Sequence, residues 1–425
     1  MHALLHVSLI SGPVPSGLTV TAFACLALSL VRRGVRWWVG VVALAVAAVA
    51  VVVTSARIVD VTHRVDNGFP WSFFAWTALP LFALGTAIAG WRRAAVWRRC
   101  ACVASVVLMA AFGADTINAF YAYRPTLGDA LGAPMPDELH AHSTLVSEQR
   151  VIPDHGSLVT VDIPATVRFA PRDALVWLPP AFTADPSASW PVLMLLAGVP
   201  GAPADMVRAG GAAQIADAYA AAHGGVAPLL VMPDHNGGMF RDTECVDGPR
   251  GAAESYLAND VRAFMQQHYA AATDPRQWAV VGYSEGGTCA LGLSLRRPDA
   301  FGAFVDIGGD LAPNAVSGRF SRIRTVQSLY GGRVGEYRKH DPVWLARRDP
   351  QRASLFAVFA DGRADRRHYL DGRILNVEMH RVGVPSRFEA FAGGHNFRMV
   401  HSALTALLPD VADYVSLRPT TADET

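Results

Sequence analysis

The sequence WAVVGYSEGG, which begins at Trp278, constrains the fold more than any other part of the chain. Its first four residues form the short apolar run expected of a buried parallel strand, and Thr288–Leu295 is compatible with a helix. Between them, Gly-x-Ser-x-Gly places Ser284 at a sharp turn, where Gly282 and Gly286 leave room for crowded backbone. We predict that Ser284 stands exposed above a sheet as a nucleophile.

Composition divides the chain into two parts. The 425 residues are 51% hydrophobic and only 17% charged, and the apolar excess lies in roughly the first third. The net charge is +1 without a basic block, so nothing indicates nucleic-acid binding. We predict a transmembrane domain over residues 1–125, a linker over 126–150, a globular domain over 151–415 and a tail over 416–425.

Four segments are apolar enough to cross a bilayer core, which needs about 20 apolar residues. None shows the polar face of a soluble helical bundle. A cleaved signal peptide is not expected, because no basic region opens the chain and no small-residue cleavage site precedes Arg32. Asp115, in the last segment, is either a functional carboxylate or a residue near the outer interface. The predicted spans are Gly17–Leu30 with its flanking residues, Val39–Ala56, Ser72–Gly90 and Ala101–Tyr121.

The arginines between the spans predict the orientation. One group lies between the first and second spans and another between the third and fourth, whereas the loop over residues 57–71 mixes arginine with aspartate. The positive-inside rule places both arginine-rich loops in the cytoplasm, so both termini and the globular domain face outward from the plasma membrane. These arginines are Arg32, Arg33 and Arg36 in one loop and Arg92, Arg93, Arg98 and Arg99 in the other.

Two cysteines fall in the globular domain, Cys245 and Cys289. An even count in a domain that faces an oxidising compartment permits one disulfide, which would fix the Cys245 loop to the helix after Ser284. Two buried free thiols fit the sequence equally well.

After the linker, strands and helices alternate, which predicts an α/β fold with a mainly parallel sheet. Such sheets bind ligands beyond the carboxyl ends of their strands. The predicted strands are Ser157–Val167, Ala174–Leu178, Val192–Leu196, Pro228–Pro233, Trp278–Val281, Phe304–Ile307, Leu355–Phe359 and Arg387–Phe391. The predicted helices are Ala212–His223, Ala252–Tyr269, Thr288–Leu295, Arg367–Val382 and Phe397–Tyr414.

A nucleophilic serine in this setting has its acid and then its base after it in the chain. His395 is the strongest candidate base, because it follows the last strand and a flexible Ala-Gly-Gly. His235 precedes Ser284, and His380 and His401 fall on predicted helices, so these three are weaker candidates.

The acid that orients the imidazole should follow the strand Leu355–Phe359. Asp361 and Asp365 both do, and the longer offset favours Asp365, with Asp361 as the alternative. Each could instead be a turn residue or the cap of the next helix.

An oxyanion hole needs two backbone N–H groups. The candidates are Glu285, directly after Ser284, and Val199, in the Gly198–Gly201 loop after a buried strand. The chain contains no Walker or dinucleotide glycine loop and no His-Glu-x-x-His, and the globular domain has no cysteine pair at zinc spacing. We therefore predict neither a cofactor nor a metal.

With these motifs, the globular domain resembles the esterase D and antigen 85 mycolyltransferase branch of the α/β-hydrolases. The matching pieces are PVLMLLAG from Pro191, the GYSEGG turn and GGHNF around His395, and the resemblance covers about residues 150–415. It implies an α/β-hydrolase fold and serine esterase chemistry. Four spans ahead of such a domain look like the membrane-anchored esterases of actinobacteria, some of which remove amino acids from aminoacylated phospholipids. Unlike the secreted antigen 85 proteins, this chain has several spans and no clear match to their trehalose-binding residues, which speaks against mycolyl transfer.

The sequence thus predicts a membrane-anchored serine esterase that acts on carboxylic esters. Lipid esters are the favoured substrates, and aminoacyl-phospholipids are one candidate among them. An acyltransferase that passes the same acyl group to a sugar or lipid hydroxyl is the alternative. A membrane sensor or transport partner with an inactive hydrolase domain is a third hypothesis, which the intact serine, acid and histidine candidates disfavour.

Overall fold

The chain forms two compact units, Met1–Ala133 and Pro134–Thr425. The predicted tail beyond Ser416, most of the predicted linker and of the loop over 57–71, and the arginines Arg32 and Arg33 lie outside the described residues. The structure is a computed structural model, which describes residues 5–31, 34–62, 71–133, 138–140, 152–315, 321–348 and 355–416.

Within its described residues, the first unit contains four long α-helices, one short one and a 3₁₀ turn (Trp91–Arg93). All four long helices are apolar enough to span a membrane, and residues such as Val39, Val42 and Val46 expose their side chains, as lipid-facing residues do. This supports membrane insertion of the unit. The first helix starts at Pro13, because proline is well tolerated in a first helical turn. The helices are α1 (Pro13–Leu30), α2 (Val35–Thr62), α3 (Trp71–Gly90), α4 (Val96–Tyr121) and the short α5 (Leu127–Ala130).

Small and flexible side chains let α1, α3 and α4 pack closely. Ala22, Leu26, Ala83 and Met109 form a buried cluster between these helices. Gly113 allows α4 to approach α3, since a Cβ there would lie 3.1 Å from a backbone carbonyl oxygen. Close packing of this kind is what holds helices together in lipid, where burial gives no hydrophobic advantage.

The second unit contains eleven strands within the described residues. They are β1 (Glu138–His140), β2 (Ser157–Val161), β3 (Ala174–Leu178), β4 (Val192–Leu196), β5 (Leu229–Met232), β6 (Asp247–Gly248), β7 (Gly251–Ala252), β8 (Trp278–Tyr283), β9 (Ala303–Ile307), β10 (Phe356–Gly362) and β11 (Ser386–Phe391). Nine of them form one sheet in the order β1-β2-β3-β5-β4-β8-β9-β10-β11, and β6 pairs with β7. Only β3 runs antiparallel to its neighbours in the large sheet. The predicted mainly parallel α/β sheet is confirmed.

The helices of the second unit connect these strands. The predicted helix Ala252–Tyr269 consists of α8 (Ala253–Ser255), a π-helical turn (Tyr256–Val261) and α9 (Arg262–Tyr269) in direct succession. The sequence did not indicate the three helices between Ser321 and Ala346. In chain order the helices are α6 (Asp205–Arg208), α7 (Ala212–Ala222), α8 (Ala253–Ser255), α9 (Arg262–Tyr269), α10 (Glu285–Arg296), α11 (Ser321–Tyr330), α12 (Val334–Lys339), α13 (Pro342–Ala346), α14 (Arg366–Arg381) and α15 (Phe397–Ser416).

Two strand boundaries differ from the prediction in a way that matters. The strand β2 ends at Val161 and not at Val167, because Pro164 cannot donate to a ladder and the Thr166 amide bonds the Asp260 carboxylate instead. The strand β10 extends to Gly362, so Asp361 lies inside the strand and not in the loop after it.

Large buried side chains anchor the central strand β8. All six of its residues are buried. Its first residue, Trp278, donates from its indole nitrogen to the Ala272 carbonyl at 2.6 Å, and the Arg262 guanidinium lies 4.5 Å from the ring centroid. These contacts fix the first residue of the strand that leads to Ser284.

Candidate active site

Ser284 connects β8 to α10 in a strained backbone conformation, with φ 59° and ψ −122°. Its amide donates to the Ile307 carbonyl on β9 at 2.8 Å. A Cβ on Gly282 would lie 1.7 Å from the carbonyl oxygen of Gly286, and one on Gly286 would lie 2.4 Å from that of Ala197. The turn therefore closes only with glycine at both positions, and it places the serine at the carboxyl edge of the sheet.

The Ser284 hydroxyl is hydrogen-bonded to His395, with Oγ and Nε2 2.8 Å apart. On the other side of the ring, Nδ1 lies 2.8 Å from Oδ2 of Asp365. The ring also packs on Tyr283, with centroids 4.9 Å apart. The ends of β8, β10 and β11 thus bring together the three side chains that the sequence singled out. In this order a carboxylate, an imidazole and a hydroxyl can activate the serine as a nucleophile.

The electrostatics of the site suit this task. Burial would raise the pKa of Asp365, but hydrogen bonds from His368 and His395 outweigh it and hold the pKa well below its usual range. Burial lowers the pKa of His395, an effect that Asp365 opposes and that the neighbouring His368 reinforces. At neutral pH the carboxylate is charged and the imidazole is free to accept a proton.

The alternative acid, Asp361, lies in a different environment. Its side chain is only 1% exposed, and its Oδ1 has no hydrogen-bond partner among the described residues. Its Oδ2 faces α14, where a Cβ on Gly372 would come within 2.2 Å. Burial, followed by repulsion from Asp306, raises the pKa of Asp361 to about 9. The structure therefore places Asp365, and not this neutral carboxyl, beside His395.

The two candidate oxyanion-hole residues flank the nucleophile. Glu285 is the first residue of α10, and the leading amides of a helix have no partner inside it. Val199 follows Gly198, where a Cβ would lie 2.8 Å from the Cβ of Ser284, so only glycine allows this approach. Within the described part of the chain, neither the Val199 nor the Glu285 amide donates to another group.

Arg172, which the sequence did not indicate, holds the Val199 loop. Its guanidinium donates to both carboxylate oxygens of Asp234, at 2.7 and 2.9 Å, and to the Gly201 carbonyl at 3.1 Å. The Gly201 amide in turn donates to the Met239 carbonyl at 2.9 Å. The loop is thereby fixed from two sides before any substrate binds.

The side chain of Glu285 belongs to a buried network behind the nucleophile. Its Oε2 accepts hydrogen bonds from Nε2 of His235 at 2.8 Å and from Nδ2 of Asn236 at 3.0 Å. Burial would lower the pKa of His235, but the adjacent Glu285 charge outweighs this and raises it. His235 is therefore hydrogen-bonded to Glu285, whereas Ser284 is hydrogen-bonded to His395. The other two rival bases also lie elsewhere, since His380 is exposed on α14 and His401 bonds a backbone carbonyl at 3.0 Å.

A disulfide joins Cys245 and Cys289, whose Cα atoms are 5.3 Å apart. Both residues are fully buried. The Cys245 carbonyl also accepts a hydrogen bond from Arg296, near the end of α10, at 2.7 Å. The loop before β6 is thus attached at two points to the helix that begins after Ser284.

Three groups of described residues bring metal-type ligand atoms together. In the first the sulfurs form the disulfide, and in the second both imidazole nitrogens are already hydrogen-bonded to the same Asp365 oxygen. In the third, burial and the neighbouring Asp242 raise the pKa of Glu244 well above its usual range, so a proton on Glu244 reduces the buried charge. We infer no cofactor from them. The groups are Cys245, Glu285 and Cys289; Asp365, His368 and His395; and Asp242, Glu244 and Glu285.

The fold and the geometry at Ser284 define the class of protein as a serine hydrolase with the α/β-hydrolase fold. A sequence model of the family described as putative esterase matches residues 170–411, and the chain belongs to that family. It is a carboxylic ester hydrolase, as predicted. The chain is also 29% identical over 350 residues to an uncharacterised protein of Corynebacterium glutamicum, covering 79% of this chain and 80% of that protein. This match is longer than Pro134–Thr425, so it extends into the helical unit.

Solved structures support the fold. A ferulic acid esterase matches with a TM-score of 0.54 at 20% identity, over 61% of this chain and 98% of that protein. An S-formylglutathione hydrolase from Agrobacterium tumefaciens matches with a TM-score of 0.50 at 18% identity, over 62% and 97%. Nearly the whole of each neighbour is thus superposed on part of this chain. The predicted resemblance to α/β-hydrolase esterases is confirmed.

Exchanging each aspartate for asparagine should separate the two candidate acids. Asp365→Asn should lower kcat for a p-nitrophenyl ester by about 10⁴-fold, because an amide favours the wrong imidazole tautomer. Asp361→Asn should keep most of the activity, since that carboxyl is already neutral. Loss of activity in Asp361→Asn with full activity in Asp365→Asn would contradict the assignment.

The same Asp361→Asn protein should also show a pH-dependent gain in stability. The folded-state pKa of Asp361 is raised from 3.8 to about 9, so its burial costs increasingly more as the pH rises through that window. The melting temperature of the variant relative to wild type should therefore increase from pH 5 to pH 9. A constant difference would show that the carboxyl does not titrate in this way.

Proposed function

We propose that this protein is a membrane-anchored serine esterase in which Ser284, His395 and Asp365 form the catalytic triad. The observation that carries the proposal is the continuous hydrogen-bonded chain from Asp365 through His395 to Ser284, with both contacts at 2.8 Å. Membership of the putative esterase family supports it.

The geometry suggests how each group acts. His395 removes the Ser284 proton as Oγ attacks the ester carbonyl, and the Val199 and Glu285 amides stabilise the oxyanion. The imidazolium then gives its proton to the departing alkoxide, which leaves an acyl-enzyme on Ser284. A water molecule, deprotonated by His395, attacks this ester and releases the acid, and the proton returns to Ser284.

Hydrolysis of p-nitrophenyl butyrate by detergent-solubilised protein tests this proposal. Ser284→Ala and His395→Ala should each reduce kcat by several orders of magnitude, as triad replacements do. Ser402→Ala and His380→Ala, both at exposed positions on surface helices, are the matched controls and should retain the wild-type rate. A Ser284→Ala protein as active as wild type would refute the proposed nucleophile.

We propose esters with an apolar acyl chain, lipid esters above all, as the substrates. Four exposed apolar residues lie close along the chain to groups of the site, three on loops and one on α14, and we call them the apolar rim. The Met239 carbonyl accepts the hydrogen bond from Gly201, Leu311 follows Asp310 in the loop after β9, and Leu370 follows His368 by two residues on α14. Aminoacyl-phospholipids are also lipid esters, but in these the apolar chains lie on the alcohol side of the ester that releases the amino acid. The rim is Met239, Phe240, Leu311 and Leu370, which are 39%, 49%, 38% and 56% exposed.

The rim predicts a chain-length preference. A Met239→Ser/Phe240→Ser protein should lose at least about tenfold more kcat/KM on p-nitrophenyl laurate than on p-nitrophenyl butyrate, since each buried methylene contributes about 0.8 kcal/mol. Val226→Ser is the control. Val226 is 51% exposed, but it precedes β5 and so lies at the amino ends of the parallel strands, whereas the site lies at their carboxyl ends. An equal loss on both esters would refute a role for the rim in acyl-chain binding.

The same acyl-enzyme can also react with an alcohol. Product analysis with and without glycerol or a sugar as acceptor separates the two outcomes: free acid alone indicates hydrolysis, and a new ester indicates transfer. Membership of the putative esterase family favours water as the acceptor, so hydrolysis is the proposed activity.

We propose that the hydrolase unit faces the extracytoplasmic side. The arginine-rich loops between α1 and α2 and between α3 and α4 support this orientation. The Cys245–Cys289 disulfide supports it too, because such bonds persist in oxidising compartments.

The only lysine of the chain gives a direct test of this orientation. Lys339 lies on α12 with 58% of its side chain exposed. A membrane-impermeant amine reagent should label it on intact cells, and Lys339→Arg should abolish labelling of the corresponding peptide. Labelling of Lys339 only after lysis would place the unit in the cytoplasm.

A further inference from the structure

Asp365 binds two histidines through one oxygen. Its Oδ2 lies 2.8 Å from Nδ1 of His395 and 2.7 Å from Nδ1 of His368, the residue three positions further on. The two imidazole rings stack, with centroids 4.3 Å apart and planes inclined by 22°. A triad needs only one of these rings, so the second, His368, must have another role.

His368 lies between two carboxylates. Its other nitrogen, Nε2, is 3.4 Å from Oδ1 of Asp310, and that oxygen also accepts a hydrogen bond from Arg367 at 2.5 Å. Hydrogen bonds and ion pairs with His368 and Arg367 outweigh burial and lower the pKa of Asp310, as happens for Asp365. Neither carboxylate has a proton to donate, so both ring nitrogens of His368 carry hydrogens and the ring is an imidazolium.

The surroundings of His368 preserve this charge. Burial would lower the pKa of His368, but the bonds to Asp310 and Asp365 raise it to about 10. Arg367 is the other cation close to it, and Asp371 adds negative charge nearby. The remaining acids, Asp306 and Asp361, are buried, and burial raises their pKa values to about 7 and about 9.

The result is a row of alternating carboxylates and imidazoles whose last member is hydrogen-bonded to Ser284: Asp310, His368, Asp365, His395. We infer that His368 is a positioning residue of the triad, which fixes the Asp365 carboxylate and, as a cation stacked on His395, keeps that base unprotonated in mildly acidic conditions. This inference rests on the proposed roles of Ser284, His395 and Asp365.

The charges around His395 have opposite effects on its protonation: the stacked His368 cation opposes it in the resting enzyme, and the carboxylates stabilise it during the reaction. Before the reaction, the positive charge on His368 disfavours a second positive ring at His395. When His395 takes the serine proton, two imidazolium rings face two carboxylates, so the row, which carries one net negative charge at rest, becomes neutral. Without His368, the negative charge of Asp365 interacts with His395 alone. This favours protonation of the base.

The pH dependence of kcat/KM for p-nitrophenyl butyrate tests the inference. The acidic limb of the profile reports the protonation of His395 in the free enzyme. In His368→Gln, a neutral donor of similar reach, the midpoint of this limb should rise by about one pH unit or more. In His368→Lys, which keeps the charge, it should stay near the wild-type value.

Rates are expressed per active site, counted by labelling with a fluorophosphonate, so that misfolded protein does not enter the comparison. A limb that stays at the wild-type midpoint in His368→Gln would overturn the inference, because a purely structural role lowers the number of active sites without moving the limb. Equal shifts in His368→Gln and His368→Lys would overturn the role of the charge.

Ser284→Ala, measured alongside, separates this inference from the proposed function. If Ser284→Ala is inactive and the limb does not move in His368→Gln, only the role of His368 fails. If Ser284→Ala hydrolyses the ester as fast as wild type, the proposed triad fails, and the inference fails with it.

Discussion

Steric crowding at the turn after β8 is the constraint on which the rest of the site depends. The Ser284 backbone has a positive φ, and it is stable because glycines on either side let the neighbouring carbonyls come close. The strand β8 lies between β4 and β9 in the sheet, so the loops after both strands converge on the same point. The approach of Gly198 to Ser284 and the bond from Ser284 to Ile307 follow from this position.

Charge distribution is the second organising factor. Acidic residues crowd the carboxyl edge of the sheet, yet they are in different states. Asp365 and Asp310 are charged because histidine and arginine donors face them, whereas Asp361 is buried without such donors and is neutral at neutral pH. The hydrogen-bond donors around each carboxyl, more than its distance along the chain, therefore decide which one can orient His395.

The sequence predicted the parts of the site that depend on local pattern. The strand, turn and helix around Ser284 follow from a short motif, and His395 and Asp365 follow from their places after strands in a mainly parallel sheet. The choice between Asp361 and Asp365 depends on where β10 ends. The apolar pattern does not fix this boundary, because the strand continues through Asp361 to Gly362.

The sequence did not reveal the partners that hold these groups. Arg172, His235 and His368 act through hydrogen bonds to residues on other elements, and no spacing rule connects Arg172 with Asp234 or His235 with Glu285. The three-residue spacing of Asp365 and His368 is a visible signal, since side chains three apart meet at the start of a helix. The sequence also does not indicate α11 to α13, because each is shorter than the window over which a helical period can be recognised.

Reaction with a fluorophosphonate, followed by mass-spectrometric mapping of the modified peptide, shows directly whether Ser284 is an activated nucleophile. This reagent phosphonylates a serine only where a base and an oxyanion hole activate it. We expect a single adduct on Ser284 in the wild-type protein and none in His395→Ala. An adduct on another serine, or none on the folded wild-type protein, would contradict this expectation.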